Sequence, residues 1–167
     1  IDSARDVAKL HTTDVATFGN AQWGHMGCVQ DGKAYFYYSP CRRHSKYSEF
    51  VLREEVKLPS VGIVNLYGGM DTEIIKMVAS CSQGLVIGGF GNGTLPQGVL
   101  DVLHTIEVPK VRASRIGNGI VSSQSSDVKE GLIVSDSLSP VKARILLMLA
   151  LQQKRRREEL KAIFETY

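Results

Sequence analysis

From about residue 60 onward, apolar and polar positions alternate in a regular order. Val61-Gly62-Ile63-Val64-Asn65-Leu66-Tyr67 is a short apolar run closed by Gly68-Gly69, which predicts a strand ending in a turn. Over 71–80, Ile74, Ile75 and Val78 recur at the spacing of one helix face. Leu85-Val86-Ile87 predicts the next strand, ending in Gly88-Gly89-Phe90-Gly91-Asn92-Gly93, and Val99, Leu100, Val102 and Leu103 mark a second helix. Further strands are predicted over 108–114 and 132–135. Ser139-Pro140 reads as a cap followed by proline at the first helical position, where the missing N–H costs nothing. The helix it opens carries Ile145-Leu146-Leu147-Met148-Leu149, apolar on more than one side, so it is expected between the sheet and another element. A last amphipathic helix over 155–167 presents Leu160, Ile163 and Phe164.

Nearly all-apolar strands that alternate with helices predict an α/β fold: a small parallel sheet flanked by helices on both faces. Such sheets take ligands at the carboxyl ends of their strands. Gly68 to Asp71, Gly89 to Thr94 and Ser114 to Asn118 all fall there. Residues 19–59 differ. Gly27 to Pro40 alternates around Asp31-Gly32, a hairpin turn signature, with Tyr35-Phe36-Tyr37-Tyr38 on the return strand. Residues 39–48 are polar and basic and read as a linker. The chain therefore divides into 1–18, a hairpin-and-linker segment over 19–57, and an α/β domain over 58–167. The first stretch begins without methionine and runs straight into charged, hydroxyl-rich sequence. It reads as the end of something larger, since an N-terminus is usually tied down by its own element.

Composition changes this picture little. A 167-residue chain that is 43% hydrophobic can bury a core of its own. No run approaches the roughly 18 apolar residues of a membrane span, and no membrane partner is expected. The net charge of +3 gathers at Arg42-Arg43-His44 and Lys154-Arg155-Arg156-Arg157. Glu158, Glu159 and Glu165 interrupt the second cluster, so solvated segments are expected and nucleic acid is not. The three cysteines, Cys28, Cys41 and Cys81, form no metal-binding spacing, and two or three buried or free thiols are expected over a Cys28–Cys41 bridge.

Three groups could carry chemistry. Gly89-Phe90-Gly91-Asn92-Gly93-Thr94 lets backbone approach a ligand closely and adds the polar groups of Asn92 and Thr94. It lacks the spacing of a dinucleotide loop, and no acidic residue stands at the ribose position about 20 residues on. Lys9, among Arg5, Asp6 and Asp14, has the hydroxyls of Thr12, Thr13 and Thr17 nearby in sequence. A lysine can activate a hydroxyl when desolvated or hydrogen-bonded to it. Arg115, just after the third strand, is suited either to clamping a carboxylate or to pairing within the domain. His11, His25, His44 and His104 show no metal-ligand spacing, so no metal is expected.

These pieces occur in one order. The chain resembles the type II L-asparaginases and glutaminase-asparaginases in Arg5-Asp6-Val7 with Lys9, Thr12 to Phe18, and Gly32-Lys33. The likeness continues through Val61-Gly62-Ile63-Val64, Gly91-Asn92-Gly93, Ser114-Arg115, Gly117-Asn118-Gly119, Lys142-Ala143-Arg144, and Ile163-Phe164 with Tyr167. The resemblance implies a two-domain amidohydrolase that releases ammonia from L-asparagine, and often L-glutamine, through a threonine nucleophile and without a cofactor. It implies a homo-oligomer, a dimer of dimers, whose active sites are shared between subunits. Type II members also suggest a periplasmic or secreted protein. Lys9 matches the family's catalytic lysine. Residues 1–18 would then be a remnant of an N-terminal catalytic domain, and 58–167 the C-terminal domain.

The departures carry as much weight. The family's T-G-G-T-I and H-G-T-D segments, which hold its catalytic threonines and an aspartate, are absent from these 167 residues. Thr12-Thr13-Asp14 matches a later T-T-D instead. Alone, the chain is expected to be inactive, with the N-terminal asparaginase domain as its missing partner. Two family residues reach across the dimer. One, commonly asparagine, falls at Thr94; the other, a glutamate, falls near Gln124, where this chain is about two residues shorter by that alignment. Asn92, Thr94 and Gln124 are therefore the expected substrate-binding residues. With no sheet to join, residues 1–18 are expected to be loosely held, leaving Val15, Ala16 and Phe18 in water at about 25 cal/mol per Å². The alternative reading is a non-catalytic module that binds a small ligand in a crevice of Gly68-Gly69 and Gly91 to Thr94, or docks on an intact subunit.

Overall fold

The computed structural model of the chain describes residues 1–20, 22–52 and 56–167. Within the 19–57 segment, residues 21 and 53–55 thus lie outside the described residues. Two short strands, β1 (Ala8–Lys9) and β2 (Phe18–Gly19), pair antiparallel. The loop between them is closed by Thr17, whose hydroxyl donates to the His11 carbonyl and accepts from the His11 N–H. A hairpin follows, β3 (Gly27–Gln30) and β4 (Lys33–Phe36), turning at Asp31-Gly32. Both turn residues have positive φ, 49° and 75°, as a two-residue turn between right-twisted strands requires.

The α/β unit then alternates: β5 (Val61–Asn65), α1 (Glu73–Ser80), β6 (Gly84–Gly89), α2 (Gln97–His104), β7 (Lys110–Ser114), α3 (Ser125–Glu130), β8 (Leu132–Val134), α4 (Pro140–Gln152) and α5 (Arg157–Thr166). The four strands β5 to β8 form one parallel sheet in sequence order, as the apolar runs predicted. Alternate residues divide between its faces. Val61, Val86, Val111, Ala113 and Ile133 join Leu147, Leu160 and Phe164 of α4 and α5. On the other face Val64, Leu85, Ile87 and Leu132 meet Ile75, Val99 and Leu103 of α1 and α2. The Ser139 hydroxyl caps α4 by accepting from the Lys142 N–H, 3.5 Å away, with Pro140 in the first turn. That helix lies on β5, β6 and β7, with α5 beside it over β8. It therefore does not sit between two layers as expected, and Val141 and Ile145 on its outer side stay exposed. The helix α3 was not predicted. Its signals were modest: an aspartate three residues after its cap, and Gly131 in the left-handed conformation after its last turn.

The start of the chain is held more firmly than expected. Val15, Ala16 and Phe18 are exposed, as predicted. Arg5, however, donates to Asp136 (2.8 Å), Ser137 (2.9 Å) and the Tyr167 carbonyl. Lys142 of α4 donates to the carbonyls of Arg5 and Val7, both at 2.7 Å. Burial pushes the ionisation of both cations below their ordinary values, with Asp136 opposing it at Arg5 and Asp6 at Lys142. The basic loop at 42–50 also docks on the domain rather than trailing as a linker. Arg42 reaches Asp136 at 2.9 Å, Arg155 pairs with Glu49, and Phe50 packs on Tyr167 with ring centroids 5.0 Å apart. Cys28, Cys41 and Cys81 are free and exposed.

Two charged side chains of β7, Lys110 and Arg112, lie deep in the sheet. Lys110 is 3% exposed, and its ammonium donates to the Leu103 and Ile106 carbonyls, at 2.7 and 2.5 Å. These belong to the end of α2 and the residues after it, where the helix ladder stops; the Leu103 carbonyl accepts the ammonium in addition to the Ile106 N–H. Desolvation lowers the Lys110 pKa from its ordinary 10.5, with Arg157 adding to the fall and Glu130 opposing it. Between the lowered value and 10.5, the unfolded chain binds more protons than the folded one at this residue, so stability gains with rising pH. Urea denaturation between the two should show this gain, and Lys110→Met should flatten it. An equal slope in the variant would assign the gain elsewhere, Lys142 included.

Candidate functional site

The carboxyl ends of β5, β6 and β7 deliver three loops to one edge of the sheet. The loop after β6 is tight: Phe90 and Thr94 exchange two backbone hydrogen bonds, of 3.0 and 2.7 Å. A Cβ at Gly89 would stand 2.5 Å from the Gly93 carbonyl oxygen, and Gly93 itself sits at φ 68°. Only glycine permits that fold-back. The loop after β7 is anchored by Ser114, whose hydroxyl donates to the Gly91 carbonyl at 2.5 Å and accepts from the Ile116 N–H at 3.0 Å.

Arg112, in the middle of β7, ties these loops together. It is 1% exposed, and its guanidinium has five N–H donors. Nε and one terminal nitrogen form a fork with Asp127, at 2.6 and 2.7 Å. The other terminal nitrogen reaches the Asn92 and Gly93 carbonyls, at 2.8 and 3.3 Å. A fifth bond, 2.7 Å, goes to the Ser122 carbonyl. Asp127, itself 3% exposed, also accepts from the Gln124 N–H at 2.6 Å. A buried charge is tolerable when paired and fully hydrogen-bonded, and each donor here has an acceptor.

The predicted residues separate into two places. Asn92 joins the two loops directly: its amide donates to the Ser122 hydroxyl at 2.7 Å and accepts from the Ser122 N–H at 2.8 Å. Its amide is thus engaged within the chain. Thr94 is exposed on the same loop, and its hydroxyl has no hydrogen bond among the described residues. Gln124 heads α3 and is half-buried. Lys9 lies on β1, exposed, with no hydrogen bond or ion pair to its ammonium among the described residues. Of its sequence neighbours, Arg5 is committed to Asp136, and the Asp14 carboxylate accepts from the Ala16 N–H. One hydrogen bond among the described residues links the first 50 residues to the loops after β6 and β7, from the Gly119 N–H to the Gln22 side chain at 2.8 Å.

Arg115 pairs within the domain. It donates to the Leu66 carbonyl at 2.8 Å and lies over the Phe90 ring, 4.4 Å from its centroid. A crevice of about 290 Å³ does open beside it, lined by Gly68, Gly69, Phe90 and Pro96 among others. Gly91 to Thr94 are not part of that lining, so the crevice drawn from sequence is not assembled as expected. Among the described residues no cluster of three His, Cys, Asp or Glu is placed to hold a metal ion. The basic run at 154–157 is divided among Glu49, Glu159 and the Gly131 carbonyl. The Arg112–Asp127 pair was missed in the sequence. Its signal was an arginine within the apolar run Lys110–Ser114, where a buried charge demands a counter-charge.

Residues 60–164 match the family model described as the glutaminase/asparaginase C-terminal domain. The chain is similar to L-asparaginase 2 of Escherichia coli, 37% identical across 98% of this chain and 49% of that protein. It is 34% identical to a protein of Haemophilus influenzae named probable L-asparaginase periplasmic, over 98% of this chain and 49% of that one. Against a glutaminase-asparaginase of Pseudomonas fluorescens the identity is 32%, covering the whole of this chain and 48% of the relative. The chain spans about half the length of the curated relatives it matches. With a four-stranded parallel sheet between two helix layers and a match over most of its length, the chain belongs to the glutaminase/asparaginase family.

Proposed function

We propose that this chain acts as the C-terminal portion of an amidohydrolase that converts L-asparagine, and L-glutamine as well, to the acid and ammonia. The observation that carries this is the reach of the similarity. It extends past the C-terminal domain match, over 98% of the chain, and so takes in Lys9 as well as Asn92, Thr94 and Gln124. In this reading Lys9 is the catalytic lysine, acting beside a threonine and an aspartate from polypeptide outside these 167 residues. Thr94 and Gln124 contribute to substrate binding from a neighbouring subunit of a dimer of dimers, and Asn92 shapes the loop that presents Thr94. Residues 1–18 belong to the catalytic domain, 19–57 connect, and 58–167 form the C-terminal domain. The name of the Haemophilus influenzae relative supports a periplasmic setting.

A lysine without its threonine nucleophile offers no covalent route to amide hydrolysis. The 167 residues by themselves should therefore release no ammonia from asparagine. Mixing with a separately expressed N-terminal half of an asparaginase should produce release, read by a coupled ammonia assay. Activity of the chain alone would overturn the assignment and direct attention to Thr12, Thr13 and Thr17. No activity in either arm would equally remove the amidohydrolase reading.

A further inference from the structure

We propose that Arg112 is a positioning residue that sets the spacing between the two loops bearing Thr94 and Gln124, and thereby the enzyme's affinity for its substrate. The inference rests on the functional reading above, and its geometry stands apart from it. Thr94 has an exposed hydroxyl but little of its own to hold it: among the described residues its backbone is paired only to Phe90, within the same turn. Gln124 is likewise fixed through its N–H to Asp127. The loops after β6 and β7 lie 30 residues apart at Asn92 and Ser122, yet one guanidinium bonds to both of them and to Asp127.

The geometry of that guanidinium is rigid. A planar fork with five fixed donor directions, each satisfied, admits one relative placement of Asn92, Gly93, Ser122 and Asp127. A lysine would keep the charge, but its three donors diverge from a single nitrogen and cannot reach all these acceptors. The loops would then drift while the sheet stays closed, because Val111 and Ala113, the neighbours of Arg112, pack on the opposite face. Contacts to substrate made by both loops weaken together, and displacement of about an ångström can cost as much as a hundredfold in efficiency. The Asn92 side chain, bonded to Ser122, is the second tie across the same gap and limits the drift.

The test uses the enzyme obtained by mixing the full 167-residue chain with the N-terminal half. Arg112→Lys should raise KM for asparagine about tenfold while kcat falls by less than about threefold, the pattern of lost substrate binding. Asp127→Asn, which keeps shape and removes the charge, should shift KM in the same direction and serves if Arg112→Lys does not fold. A residue of purely structural value would lower the melting temperature and leave KM of the folded fraction unchanged. Unchanged KM in both variants would overturn the proposal while the functional reading stands. No activity from the unsubstituted mixture would overturn both.

Discussion

Asp127→Ala should destabilise the folded chain by about 3–5 kcal/mol, because it leaves the Arg112 guanidinium buried without a counter-charge. Arg112 is 1% exposed, so water cannot replace the lost carboxylate without opening the domain. Two of five guanidinium donors and the Gln124 N–H lose their acceptor in the same step. Urea denaturation at neutral pH is the measurement, and the loss should appear in the midpoint with little change in slope. Asp127→Asn should lose less, since an amide oxygen still accepts one of those bonds. A fall below about 1 kcal/mol for Asp127→Ala would mean that α3 moves aside and lets water reach the arginine.

The second large effect concerns activity. In the mixed enzyme, Lys9→Ala should lower kcat by about 10²- to 10⁴-fold, the usual contribution of a positioned acid–base group. Stability should not change with it. Lys9 is exposed on β1, and its ammonium has no bond or ion pair among the described residues. Asp127→Ala is expected instead to lose stability and to raise KM with kcat largely kept, so the two variants separate a reacting group from a supporting one. Retention of activity within about threefold in Lys9→Ala would remove the lysine from the reaction.

Several of these features could be read directly along the chain. The apolar runs at 61–67, 85–87 and 132–135 became strands of one parallel sheet, with the strand predicted over 108–114 between the last two, because strands buried on both faces are largely apolar. Asp31-Gly32 became the hairpin turn for a local reason, since both residues accept positive φ. Ser139-Pro140 opened α4 for an equally local one. What escaped was nonlocal. The polar, basic stretch at 39–48 looked like a linker, yet Arg42 within it and Glu49 just after it find partners about a hundred residues away. Arg5, grouped in sequence with Asp6, Lys9 and Asp14, is bonded to Asp136, Ser137 and Tyr167.

Sequence alone was enough to define the strands of the α/β unit, its helices other than α3, the parallel sheet and the resemblance to asparaginases, since these depend on periodicity, turn chemistry and matching segments. The tertiary structure decided which polar groups meet. Arg112 could have been an exposed strand residue, and Asp127 a solvated helix start; neither pattern names the other. Burial selects their pairing, because a charge withdrawn from water must find its counter-charge and acceptors wherever the fold brings them. The fold brought Asp127 fifteen residues along the chain, together with three carbonyls from two loops, to one guanidinium.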